Sequence, residues 1–252
     1  MDDAPVSDGE APHHDAWTDG DTLAYLQWSD AFVPRRQEIA QMVAALVQCI
    51  AGARCVVVDL GGGDGWLVEA VLRAHAGMSA VVIDDSPAMR AAADARLGPF
   101  GARAAVRAGN LREPAGWLAD CGTVHCFVSC LALHHLRPAE RRGLYAALAE
   151  SPVPGGGLLV ADTGRVDGPE VAHCWGRLWD EAVATQSATR TGTPAAWDAF
   201  RALRWNSYAH GFDPGEWPLT AGEDAALMRD AGFPSADAVW SFAGHYLVAG
   251  YR

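Results

Sequence analysis

The chain of 252 residues contains no lysine; all 19 of its basic residues are arginine. Without lysine there is no Schiff-base nucleophile, hence no lysine-bound pyridoxal phosphate and no lysine-type aldolase. A Walker A phosphate loop is excluded for the same reason, because its lysine reaches the β- and γ-phosphates. Long apolar runs are also missing. No window reaches the roughly 18 consecutive apolar residues of a membrane span, and the first residues show no basic segment followed by an apolar one, so neither a membrane partner nor a secretory signal is expected. The six cysteines (Cys49, Cys55, Cys121, Cys126, Cys130 and Cys174) include no C-x-x-C pair, which fits free thiols and a cytoplasmic location. Positive charge is absent from residues 1–21, which carry seven acids, while the remainder holds 24 acids against 19 arginines. The net charge of −12 is thus concentrated in a tail. Residues 1–18 read as an acidic, disordered segment ahead of one domain over 19–252. Neither part has the basic surface that binds nucleic acid.

What is present is an alternation. Thr22–Trp28 reads as a short helix, and a longer one starts near Pro34 with Ile39, Met42, Val43, Leu46 and Val47 at helical spacing. Cys55–Leu60, apolar but for Asp59, ends in glycines, as in a strand buried on both faces. A helix follows over Trp66–Ala76, then a strand over Ala80–Ile83 and a helix with Ser86 as cap and Pro87 in its first turn. Further strands are expected at Ala104–Ala108, Val124–Leu131 and Gly157–Ala161, with a helix over Pro138–Glu150 before the last of these. Such alternation builds a parallel sheet with helices on both faces. The closing runs, Ala238–Phe242 and Tyr246–Ala249, are too close together for a crossover and must form an antiparallel hairpin. The expected architecture is therefore an α/β, Rossmann-like, seven-stranded, mostly parallel sheet with an antiparallel C-terminal hairpin. Residues 165–220 exceed what the alternation needs. With two helices, about 169–185 and 194–207, and with 19–50, they read as a helical cap. Five of the ten tryptophans (Trp175, Trp179, Trp197, Trp205 and Trp217) lie in this region, and such aromatic enrichment suits a pocket wall.

The segment Val56-Val57-Val58-Asp59-Leu60-Gly61-Gly62-Gly63-Asp64-Gly65-Trp66 places a glycine turn between a strand and a helix, where backbone N–H groups face a ligand. A dinucleotide fingerprint fails here. Its third glycine, needed for close helix–strand packing, would be Trp66 or Val68. The spacing is instead D-x-G-x-G-x-G, through Asp59, Gly61, Gly63 and Gly65. This resembles the first motif of the class I S-adenosylmethionine (SAM) methyltransferases, small-molecule branch. The resemblance continues in Ile83-Asp84-Asp85-Ser86-Pro87-Ala88-Met89, where the family has an acid for the ribose hydroxyls followed by S-P-x-M. It extends to Gly109-Asn110-Leu111, where Asn110 replaces the family's aspartate but keeps an acceptor oxygen, and to Leu131-Ala132-Leu133-His134-His135-Leu136 after the fourth strand.

The resemblance implies a SAM-dependent methyltransferase acting on a small molecule in bacterial specialised metabolism, releasing S-adenosylhomocysteine. Cofactor contacts would come from Asp59, Gly61, Gly63, Gly65, Asp84, Asp85, Asn110 and Leu111. His134 and His135 are the candidate catalytic residues. Candidate substrate contacts are Trp28, Phe32, Arg35, Arg165, Trp205, Asn206, Tyr208 and His245, with the arginines suited to an anionic group on the substrate. No metal is expected, since Cys126, Cys130 and His134 are spread too far along a strand to share an ion. Two alternatives keep the fold: a non-methylating cyclisation, in which the pocket only orients one substrate, and a non-catalytic subunit that supports a partner. A homodimer is compatible with either.

Overall fold

Strand β1 (Val56–Leu60) sends its side chains alternately to two cores. Val57 packs in one cluster, while Val58 and Leu60 pack in another on the opposite face. The computed structural model describes residues 19–150 and 156–252; the acidic segment expected over 1–18 lies outside them. After helices α1 (Asp19–Phe32) and α2 (Arg36–Ala51), the chain alternates through β1, α3 (Trp66–Ala74), β2 (Ser79–Asp84), α4 (Pro87–Leu97), β3 (Ala104–Ala108), the single-turn α5 (Ala115–Leu118), β4 (Cys126–Cys130), α6 (Pro138–Ala149) and β5 (Gly157–Thr163). Helices α7 (Pro169–Thr191), α8 (Ala195–Ala202), α9 (Ser207–His210) and α10 (Ala221–Ala231) follow, and the hairpin β6 (Ser235–Phe242) and β7 (His245–Tyr251) ends the chain.

The strands form one sheet in the order β3-β2-β1-β4-β5-β7-β6, with β1 to β5 parallel and β7 antiparallel to both neighbours. Helices α2, α3 and α4 cover one face, and α5, α6 and α10 cover the other. This is the expected Rossmann-like sheet. Its strand order reverses direction between β1 and β4, so a crevice opens at their carboxyl ends, where such sheets receive ligands. Among the described residues no helix is long and apolar enough to cross a membrane.

Differences from the sequence pattern cluster in the helical additions. Helix α2 buries Ile39, Val43 and Val47 in the same core as Val57 and Leu159, so it belongs to the sheet's helix layer and not to the cap expected over 19–50. The cap cluster proper joins Ala31 and Phe32 of α1 with Trp179, Val183, Ala196 and Phe200. Helix α7 runs to Thr191 and ends at Gly192, whose φ of 68° terminates it. The second cap helix, expected over 194–207, is broken. Arg204 adopts a left-handed φ of 54°, and the Asn206 side chain then accepts from the Tyr208 N–H (3.1 Å) to start α9. This is the local competition an asparagine offers to a continuing helix. Helix α10, opened by the Thr220–Glu223 capping box, has no counterpart among the expected helices.

Candidate active site

The turn after β1 is built by φ values only glycine adopts readily: 63° at Gly61, 55° at Gly63 and 76° at Gly65. The Gly61 and Gly62 N–H groups donate to the Ile83 carbonyl (2.8 and 3.2 Å), tying the turn to the end of β2. A Cβ on Gly61 would stand 2.6 Å from the Ala132 Cβ, so the close approach of the β1 and β4 ends depends on that glycine. Together these ends enclose a cavity of about 420 Å³ lined by Asp59, Gly61, Gly62, Gly63, Trp66, Asp84, Asp85, Asn110, Leu111, Leu131 and His135 among others.

Seven of the eight expected cofactor residues line this cavity. Gly65 does not; it caps α3 and packs beside Leu97. Asp84 receives the N–H groups of Gly63 and Ser86 (both 2.9 Å), and burial raises its pKa in spite of those donors. The Asn110 side-chain oxygen accepts from the Arg112 N–H (2.9 Å), a local turn bond. Asp59 differs from all of these. It is 1% exposed, and among the described residues neither carboxylate oxygen has a hydrogen-bond partner. Burial first, then the Asp84 and Asp64 charges, push its pKa up to about 8. A buried, unpartnered carboxyl facing a cavity calls for a donor or a cation from a ligand.

A second cavity, about 310 Å³, lies between the sheet and the cap, lined by Phe32, Trp179, Trp205, His245, Thr163, His134, His135 and Glu216 among others. Tyr25, Leu131 and His135 line both cavities, so the two meet there. Leu131, with a φ of 56°, turns the chain out of β4 and toward the two histidines. His134 is buried, and its Nδ1 lies 2.6 Å from Asp162 Oδ1. Asp162 is itself held by the Thr163 N–H (3.0 Å) and by Arg141 (3.2 Å). Burial opposes protonation of His134, but the Asp162 charge and hydrogen bond outweigh it and raise the pKa. The opposite ring nitrogen, Nε2, faces Glu216 Oε1 at 3.7 Å. Glu216, on the loop before α10, is held over the imidazole by the bond from the Trp217 N–H to the His134 carbonyl (2.6 Å); burial raises its pKa. Burial and the neighbouring His134 lower the pKa of His135 well below the usual imidazole value.

The substrate candidates divide sharply. Phe32, Trp205 and His245 line the second cavity, and burial lowers the His245 pKa to about 4, which keeps the ring neutral at neutral pH. Trp28 packs against the cap cluster. Asn206 bonds Gly176 and Asp180 (2.8 and 2.7 Å), and the Tyr208 hydroxyl donates to the Gly164 carbonyl (2.5 Å); both pin the cap and line neither cavity. Arg35 pairs with Glu38 and lies over the Phe242 ring, while Arg165 pairs with Asp167 and Glu223. Neither arginine lines the cavity, so the anionic substrate anchor expected from them is not built by these residues. Tyr25, Asp162 and Glu216 join the site without having been sequence candidates, and Trp179, one of the five tryptophans suited to a pocket wall, lines the second cavity. Asp162 ends the β5 strand, a position that marks ligand sites in such sheets; Glu216 sits in a loop with no pattern to announce it.

Residues 57–156 match the family model described as "Methyltransferase domain". The chain has no match among curated protein sequences. The methyltransferase fold also appears in solved structures. An O-methyltransferase family protein from Burkholderia thailandensis is 22% identical, over 85% of this chain and 56% of that one, with a TM-score of 0.58. Human N-acetylserotonin methyltransferase in complex with SAM is 15% identical, over 92% of this chain and 58% of that one, at 0.54. The mitomycin 7-O-methyltransferase MmcR is 16% identical, over 86% and 57%, at 0.51. The chain thus spans a little over half the length of these neighbours.

Proposed function

We propose that the protein transfers a methyl group from SAM to a hydroxyl or amine of a small molecule. The observation that carries this reading is the meeting of the two cavities at Tyr25, Leu131 and His135. On one side lies the unpartnered Asp59 and on the other the carboxylate-held His134. The residues fit the cofactor: the glycine turn lets a ligand approach the backbone closely, Asp84 and Asp85 face the same cavity, and Asp59 would hold a positively charged group. When bound, SAM supplies an electrophilic methyl carbon on a sulfonium leaving group. His134 is placed to accept the proton that the substrate loses, because Asp162 fixes Nδ1 and leaves Nε2 toward the second cavity. The aromatic wall of Phe32, Trp179 and Trp205 orients an apolar or aromatic substrate and excludes water.

A role in specialised metabolism is supported by the likeness to the mitomycin enzyme, and a reducing, cytoplasmic location by six cysteines that are all free. Native mass spectrometry of the purified chain with added SAM, followed by screening of hydroxylated small molecules for products 14 mass units heavier than their substrates, tests the proposal. His134→Ala is expected to reduce transfer by about 10²–10⁴-fold while SAM binding persists. Product formation of unchanged mass by protein stripped of SAM would overturn it in favour of the cyclisation reading.

A further inference from the structure

The end of β4 gathers more metal-binding groups than proton acceptance requires. The ligand atoms of His134, His135 and Glu216 all lie within 4.8 Å of one another, and the two imidazole centroids are 4.1 Å apart. The separation of His134 Nε2 and Glu216 Oε1 is 3.7 Å, too long for a hydrogen bond. Two ligands on a tetrahedral zinc, with bonds of about 2.0–2.1 Å, stand roughly 3.3–3.5 Å apart. Small side-chain rotations therefore close this set around an ion. The surroundings match what such sites use. His134 presents Nε2 because its Nδ1 is bound at 2.6 Å to the buried Asp162, the carboxylate–imidazole support that orients metal-bound histidines. Glu216 is held in turn by the Asp213 N–H (3.1 Å). Two imidazoles and one carboxylate suit a borderline ion such as zinc better than magnesium or calcium, which prefer all-oxygen sets.

We propose that His134, His135 and Glu216 form a three-ligand site for a zinc-class divalent cation, with its fourth position open to the second cavity. All three residues line that cavity, so a substrate oxygen could complete the coordination. Three protein ligands with one open position is the pattern of reactive zinc sites, whereas structural zinc sites are closed. The inference goes beyond the methyl-transfer reading, which asks for one imidazole only. Proton and ion exclude each other at His134 Nε2.

The test is equilibrium dialysis of the full chain against Zn²⁺, followed by visible absorption of the Co²⁺-loaded protein, with neither SAM nor substrate present. The expected result is one ion per chain and the absorption of tetrahedral cobalt. Glu216→Gln and His135→Gln should each weaken binding by at least ~10-fold, and Asp162→Asn by about 10–100-fold through lost orientation of His134. Circular dichroism checks that each variant is folded; Glu216, on a loop, is the substitution least able to disturb the core. Absence of stoichiometric binding, or ions held as tightly by folded Glu216→Gln and His135→Gln as by the parent, would overturn the site. Because the readout needs no turnover, failure of ion binding leaves methyl transfer standing, and failure of methyl transfer leaves the ion titration intact.

Discussion

Asp59 is the one charged residue of strand β1, and among the described residues neither of its oxygens has a hydrogen-bond partner, a costly position for a carboxyl unless a ligand completes it. Its pKa of about 8, against an ordinary value of 3.8, has a definite sign. The folded chain keeps a proton that the unfolded chain releases, so this group's contribution to stability falls as pH rises from about 4 to about 8. Asp59→Asn removes that slope from a series of thermal melts. A cationic ligand next to the carboxyl favours its ionised form, so SAM binding near pH 7 should release a proton. Calorimetric titrations in two buffers of different ionisation heat should then give different apparent enthalpies, and Asp59→Asn should abolish the difference. Equal heats in both buffers for the parent protein would show that Asp59 does not meet the cationic part of the ligand.

Four elements meet behind the site in a buried polar network. Arg141 of α6, 0% exposed, bonds Asp224 of α10 (2.9 Å) and Asp162 of β5 (3.2 Å). Tyr145 and Tyr246 donate to the same Asp224 carboxylate (2.7 and 3.0 Å). This network joins α6, α10, β5 and β7, and it fixes the carboxylate that orients His134. Removing one partner of a buried ion pair leaves an uncompensated charge, which costs about 3–5 kcal/mol. Asp224→Ala is therefore expected to lower the stability measured by chemical denaturation by about that amount. A loss under ~1 kcal/mol, the range of an exposed pair, would mean that Arg141 finds water or another partner. The β6–β7 turn shows the same dependence of one element on another. Ala243 and Gly244 have φ values of 47° and 81°, the two left-handed residues of a tight hairpin, and a Cβ on Gly244 would stand 2.0 Å from the Tyr208 hydroxyl. The hairpin tip thus seats the tyrosine that anchors α9.

At the scale of the whole molecule, the cap and the sheet have separate cores. Trp179 belongs to the cap cluster, donates its indole N–H to the Phe32 carbonyl (2.8 Å) and stands edge-on to His245 with centroids 4.6 Å apart. Trp179→Ala should destabilise the protein by about 3–5 kcal/mol and weaken substrate binding. SAM affinity, read by calorimetry, should change by less than ~3-fold because Trp179 does not line the first cavity. A parallel loss of SAM binding would show that the two cavities form one cooperative unit. The sequence by itself determined the sheet, because continuous apolar runs, glycine spacing and strand–helix alternation are local signals, and it placed seven of eight cofactor candidates on one cavity because they follow directly from strand ends. It also marked His134 and His135 through their place after β4. Which cap residues reach the second cavity follows from tertiary packing. Arg35, Arg165, Asn206 and Tyr208 spend their polar groups on neighbours brought together by long-range packing, while Asp162 and Glu216, 28 and 82 residues beyond His134 in the chain, become its partners through strand pairing and a loop anchored to its carbonyl. Those pairings depend on contacts between distant segments, which no local pattern encodes.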